Sequence, residues 1–97
     1  MATIRKLRRE FAAVLRNPEV KQAIKKISFI ERVHLDELAS ILNGVHDSTE
    51  SVEEWESKQI DKLHVLIERV GGREVINKKM LSYGINLDAI MIASGIF

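Results

Sequence analysis

Apolar residues recur along this chain at three- and four-residue intervals, and that spacing predicts helices from end to end. Ile4, Leu7, Phe11, Val14 and Leu15 share one face of a first helix, capped by Thr3 and running to about Arg16. Asn17-Pro18-Glu19 marks a boundary. Asn is a good cap, Pro suits the first helical position, and Glu suits the positive helix end. A short second helix then points Val20, Ile24 and Ile27 inward and Lys21, Lys25 and Lys26 outward.

The apolar phase slips at Ser28. Ser28-Phe29-Ile30-Glu31 has the spacing of a capping box, so a third helix is expected to start there. It should reach about Leu42, burying Ile30, Val33, Leu38 and Ile41, with Leu42 at the margin of that face. Asn43-Gly44 suggests a left-handed C-cap. After a loop rich in N-cap residues, His46 to Thr49, the longest helix is expected from about Glu50 to Val70. Its apolar face is Val52, Trp55, Ile60, Leu63, Leu66, Ile67 and Val70. Gly71-Gly72 stops it. A fifth helix covers about Arg73 to Ser82 and ends at Gly84, and Asn86 caps a last one, Leu87 to Ser94. The expected fold is all-α: one domain over residues 1–97, a compact bundle of four main helices plus one or two short C-terminal helices.

Charge changes this picture more than composition does. Residues 1–30 carry eight Lys or Arg against two Glu, residues 31–70 carry ten acids against four bases, and the whole chain has a net charge of +1. A basic beginning and an acidic middle either neutralise each other within the fold or present faces of opposite sign to partners. Arg5, Arg8, Arg9, Arg16, Lys21, Lys25 and Lys26 are therefore the candidate surface for nucleic acid or an acidic partner. No aromatic residue is interleaved among them for base stacking, because Phe11 belongs to the apolar face. Any nucleic-acid binding here should be weak, independent of sequence and lost with salt.

Two stretches resemble the helix-turn-helix of small DNA-binding regulators. In Leu35 to Val45, the Leu38-Ala39 pair and the Gly44-Val45 turn look like that motif's first helix and turn. The turn comes one residue late, and the helix after it would bring Glu50, Glu53, Glu54 and Glu56 towards phosphates. In Met80 to Ile90 the Gly84-Ile85 spacing matches better, but Leu87 to Ser94 has no Arg, Lys or Gln to reach base edges. The favoured reading of the first is a helix pair with a tight turn, and of the second a buried or partner-facing helix.

Other chemistry is sparse. With no Cys there is no disulfide framework and no Cys zinc site, which fits a cytoplasmic protein. Glu31 with His34, and Asp61 with His64, have metal-like spacing, but Asp61, His64 and Glu68 fall opposite the apolar face, where a metal would lack further ligands. His34 lies near the buried side of its helix with no nucleophile motif in the sequence. Neither a phosphate-binding glycine loop nor an 18-residue apolar run occurs. No enzyme activity, cofactor, metal or membrane contact is expected.

The tail from Ile90 to Phe97 holds no charge, and a helix apolar all round must be covered by something. Met91, Ile92, Ile96 and Phe97 are thus candidates for a self-association or partner surface, with docking into the chain's own core as the alternative. The function favoured on these grounds is that of a small non-enzymatic regulatory or adaptor protein that binds a protein partner. The alternative is a DNA-binding transcriptional regulator that uses its basic N-terminal helices or a divergent helix-turn-helix.

Overall fold

Cap chemistry sets where the helices begin. The computed structural model of the chain describes residues 3–46 and 49–96. It contains α1 (Thr3–Leu15), α2 (Pro18–Ile24), α3 (Phe29–Leu42), α4 (Val52–Val70), α5 (Arg73–Leu81) and α6 (Leu87–Ala93). The Asn17 side chain accepts from the Glu19 N–H at 2.9 Å, and Ser28 Oγ accepts from the Glu31 N–H at 3.2 Å. Ser51 Oγ accepts from the Glu54 N–H at 3.1 Å, and Asn86 Oδ1 from the Ala89 N–H at 3.1 Å. Each bond satisfies a first-turn N–H that has no partner inside its helix. Thr3 lies within α1 instead of capping it.

The fold is all-helical and compact, with a radius of gyration of 13.3 Å. α1 is its hub, packing against α2, α3, α4 and α6 through Ile4, Leu7 and Phe11. α3 lies against α4, and α5 joins α4 to α6. The core combines Leu7 and Phe11 with Leu38, Leu63, Leu66, Ile76, Met80, Ile85 and Leu87.

α3 is rotated from its expected phase. Leu35, Leu38 and Leu42 form its buried stripe, with Ile41 partly buried, while Ile30 and Val33 face outward. The three leucines at i, i+3 and i+7 fill the space against α1 and α4, which leaves the N-terminal apolar residues on the other side. Val52, expected on the buried face of α4, is also exposed, because it sits in the first turn beyond the reach of the core.

Asn43-Gly44 is not a left-handed cap. Asn43 has φ −99° and ψ 14°, and Gly44 is not among the positive-φ glycines. Gly44 serves a close approach instead. A Cβ there would collide with the Gln59 side-chain amide, whose Nε2 donates to the Ile41 carbonyl. Gln59 is thereby buried with its donor satisfied, and it ties α4 to the end of α3. Gly71, at φ +128°, does end α4 as expected, and the Gly72 N–H donates back to the Ile67 carbonyl at 2.9 Å.

Glu56 and Trp55 are buried side by side on α4, and neither Glu56 Oε1 nor Trp55 Nε1 has a hydrogen-bond partner. The edge of an aromatic contact with His46, at 6.0 Å between centroids, supports the Trp ring without satisfying its N–H. A buried polar atom without a partner costs about 1–3 kcal/mol. Glu56→Leu is therefore expected to stabilise the fold by about that amount and to raise the melting temperature in a thermal scan. A lower melting temperature would show that this carboxylate is held by something it needs.

Tyr83 is buried, and that burial, reinforced by the Glu31 carboxylate, raises its phenol above its ordinary value of 10.0. The folded value exceeds the unfolded one, so stability is fully present below the unfolded value and is lost as pH rises through the folded one. The lone tyrosine should titrate late in its phenolate absorbance. Tyr83→Phe should remove the alkaline loss that this group causes.

Candidate functional site

The seven basic residues proposed from sequence all lie exposed. Arg5, Arg8, Arg9 and Arg16 project from α1 or its end, and Lys21, Lys25 and Lys26 from α2 and the turn after it. Among the described residues the side chains of these seven enter no ion pair. The acids that do form ion pairs find other bases: Glu50 binds Lys58 at 2.6 Å, Glu37 pairs with Arg69, and Asp88 binds Arg73 at 3.0 Å. Ion pairing between the basic N-terminal helices and the acidic α4 is therefore not how this fold uses its sorted charge.

The basic residues shape two shallow concavities. Arg5, Arg8, Arg9, Ala12 and Asn43 line one of about 500 Å³, between α1 and the end of α3. Pro18, Lys21, Gln22, Ile24 and Lys25 line another of about 380 Å³ on α2. Ala12 keeps the floor of the first low between the arginine side chains.

The four proposed tail residues separate. Met91 is fully buried, so it belongs to the chain's own core and not to an outer surface. Ile96 packs partly buried against that core, held by its N–H donating to the Met91 carbonyl at 3.0 Å. Ile92 is exposed and borders a hollow with Lys6 and Arg9, so the structure brings the tail beside the basic end of α1. Phe97 lies outside the described residues.

The surface that sequence reasoning missed is on α3. Phe29 is 82% exposed and Ile30 is 65% exposed, with Val33 beside them. Between α3 and α4 runs an open groove of about 360 Å³, lined by Glu37, Ile41, Asp61, Lys62, Val65 and Arg69. Val65, from α4, is 63% exposed there. The groove thus sets Ile41 and Val65 between charged edges of both signs, the arrangement of a small binding patch with a polar rim. The available signal was a second apolar stripe on α3, Phe29, Ile30 and Val33, out of phase with Leu35, Leu38 and Leu42.

The helix-turn-helix resemblances find no support in the geometry. The link from Leu42 to Val52 is far longer than the three to four residues or so of that motif's turn. On α6, Leu87, Ile90 and Met91 are buried, which leaves no polar face for base edges. Asp61, His64 and Glu68 are exposed, and among the described residues no group of three or more His, Cys, Asp or Glu could hold a metal ion. No described helix is long and apolar enough to cross a membrane. Against protein-family models, curated proteins and solved structures alike, this chain finds no match.

Proposed function

We propose that this is a non-enzymatic cytoplasmic adaptor that binds a protein partner through the exposed apolar end of α3. Four main helices, α1 to α4, carry its surfaces, and α5 and α6 close the core. The observation that carries the reading is the solvent exposure of Phe29 and Ile30, with Val65 exposed in the separate groove between α3 and α4. Apolar side chains of this size contribute roughly 1.5–3 kcal/mol each when fully buried, so keeping them in water serves a contact made elsewhere.

The occupant this strip fits is a short apolar stripe on a partner's helix, laid across the exposed first turns of α3. A stable dimer of this chain would need about 1,200–2,000 Å² of total buried surface. One exposed turn of α3 and one valine of α4 fall short of that, which favours a short segment of another protein over a second copy.

The test compares three proteins as bait: wild type, Phe29→Ser with Ile30→Asp, and Ile92→Asp. A specific partner should be retained by wild type and Ile92→Asp and lost by the α3 variant, whose melting temperature stays near wild type. Identical captures by all three would refute the site. Light scattering of wild type at rising concentration should show a monomer; a dimer that the α3 variant dissolves would replace the foreign partner with a second copy.

A further inference from the structure

We infer that the arginine flank of α1, continued by the lysines of α2, is a track for the phosphate backbone of duplex DNA. It is independent of the apolar strip on α3 and rests on a different observation: a row of exposed cations on packed helices, none of them in an ion pair among the described residues.

The row is ordered by the core. Ile4, Leu7 and Phe11 fix α1 against α2, α3, α4 and α6, so Arg5, Arg8, Arg9 and Arg16 are turned to one flank by helical spacing alone. Over its 13 residues α1 is about 20 Å long, the axial length of roughly six base pairs. Lys21 and Lys25 extend the cations past the Asn17-Pro18 turn. Among the described residues none of these side chains is spent on an internal ion pair, and Glu10, the acid within α1, falls by its spacing on the opposite flank. Arginine's planar fork matches phosphate oxygens two at a time, which suits a backbone contact.

The same features decide against membrane insertion and against single strands. An amphipathic helix that lies in a membrane needs its apolar face free, and that of α1 is buried. Single strands are held by base stacking, and no aromatic residue stands on this flank. Asn43, the polar neighbour of the arginines, donates its side-chain N–H to the Ala39 carbonyl at 2.8 Å and is poorly placed to read bases. What remains is backbone contact without sequence readout. With four to seven phosphates neutralised, log affinity should fall with log salt at a slope of about −4 to −6.

Fluorescence anisotropy decides it, with two labelled DNA duplexes of unrelated sequence titrated at low, intermediate and high salt. Duplex RNA and anionic lipid vesicles are run alongside. Wild type should bind both DNA duplexes within about twofold of each other and with the slope given above. Arg5→Gln, Arg9→Gln and Lys25→Gln together should weaken binding at least tenfold at low salt and flatten the slope by about 3, with the melting temperature unchanged. Lys62→Gln with Lys78→Gln, and the α3 variant of Phe29 and Ile30, should bind as wild type. The proposal is overturned by absence of binding at low salt, by a triple variant that binds as wild type, or by a tenfold preference between the two DNA sequences. Vesicles or duplex RNA bound tenfold more tightly than DNA would overturn it as well.

Discussion

Met91→Asp is expected to leave the chain unfolded at room temperature. Met91 is fully buried on α6, in the same cluster as Leu7, Leu63 and Met80. The change removes a core side chain and puts an unpaired carboxylate in its place. Truncating a buried Met costs about 2–5 kcal/mol by itself, and an unpaired buried charge adds several more. A domain of this size has on the order of 5–15 kcal/mol in total. Ile92→Asp, one residue on, falls on the exposed side of α6 and should cost about 1 kcal/mol or less. Circular dichroism of the two variants separates them: helix signal lost in the first and kept in the second. A folded Met91→Asp protein would mean that α6 is not part of the core.

The second large effect lies on α3. Leu35→Ala should destabilise by about 2–5 kcal/mol, because Leu35 is buried in the core. Ile30→Ala should shift stability by no more than about 0.5 kcal/mol, since that side chain already stands in water. For a chain of this length each kcal/mol moves the melting temperature by about 4–8 °C, so the two variants are easily told apart in denaturant or heat. The reverse order would put α3 in the phase that the sequence pattern suggests.

That pair also shows what the sequence encodes openly. Helix starts were legible at Asn17, Ser28 and Asn86, which each make the bond their position implies. The start of α4 was not, because its cap is Ser51 and not a residue before a start near Glu50. The end of α4 was legible because Gly71 takes a backbone conformation that other residues avoid. The rotation of α3 was not, because the helix carries two apolar stripes and the period alone cannot say which faces inward. Only the neighbours decide, and α1 and α4 take the leucine stripe. Gly44 misled for a related reason. A glycine after a helix suggests a left-handed cap, but here it makes room for a buried Gln59 amide, a contact 15 residues away. Polar residues on a buried face, Glu56 and Gln59, interrupt the apolar pattern of α4 and give no periodic signal of burial.

The candidate surfaces divide the same way. The basic residues were legible individually, because long cationic side chains at helical spacing opposite an apolar face are exposed almost by construction. Whether the acidic α4 would neutralise them depends on packing, which charge counts do not contain. The tail could not be assigned from sequence because Ile90 to Phe97 is apolar on nearly every side. Burial of Leu87, Ile90 and Met91 and exposure of Ile92 follow from how α6 lies against α1 and α5.

The adaptor reading stands on the α3 strip, and site-specific crosslinking inside the native cell tests it most directly. A photoreactive amino acid is placed at position 30 in one protein and at position 78, on the exposed side of α5, in another. The account predicts a discrete adduct with one protein from position 30, absent from position 78 and lost when Phe29 is also changed to Ser. Equal labelling from both positions, or no adduct at position 30, would contradict it.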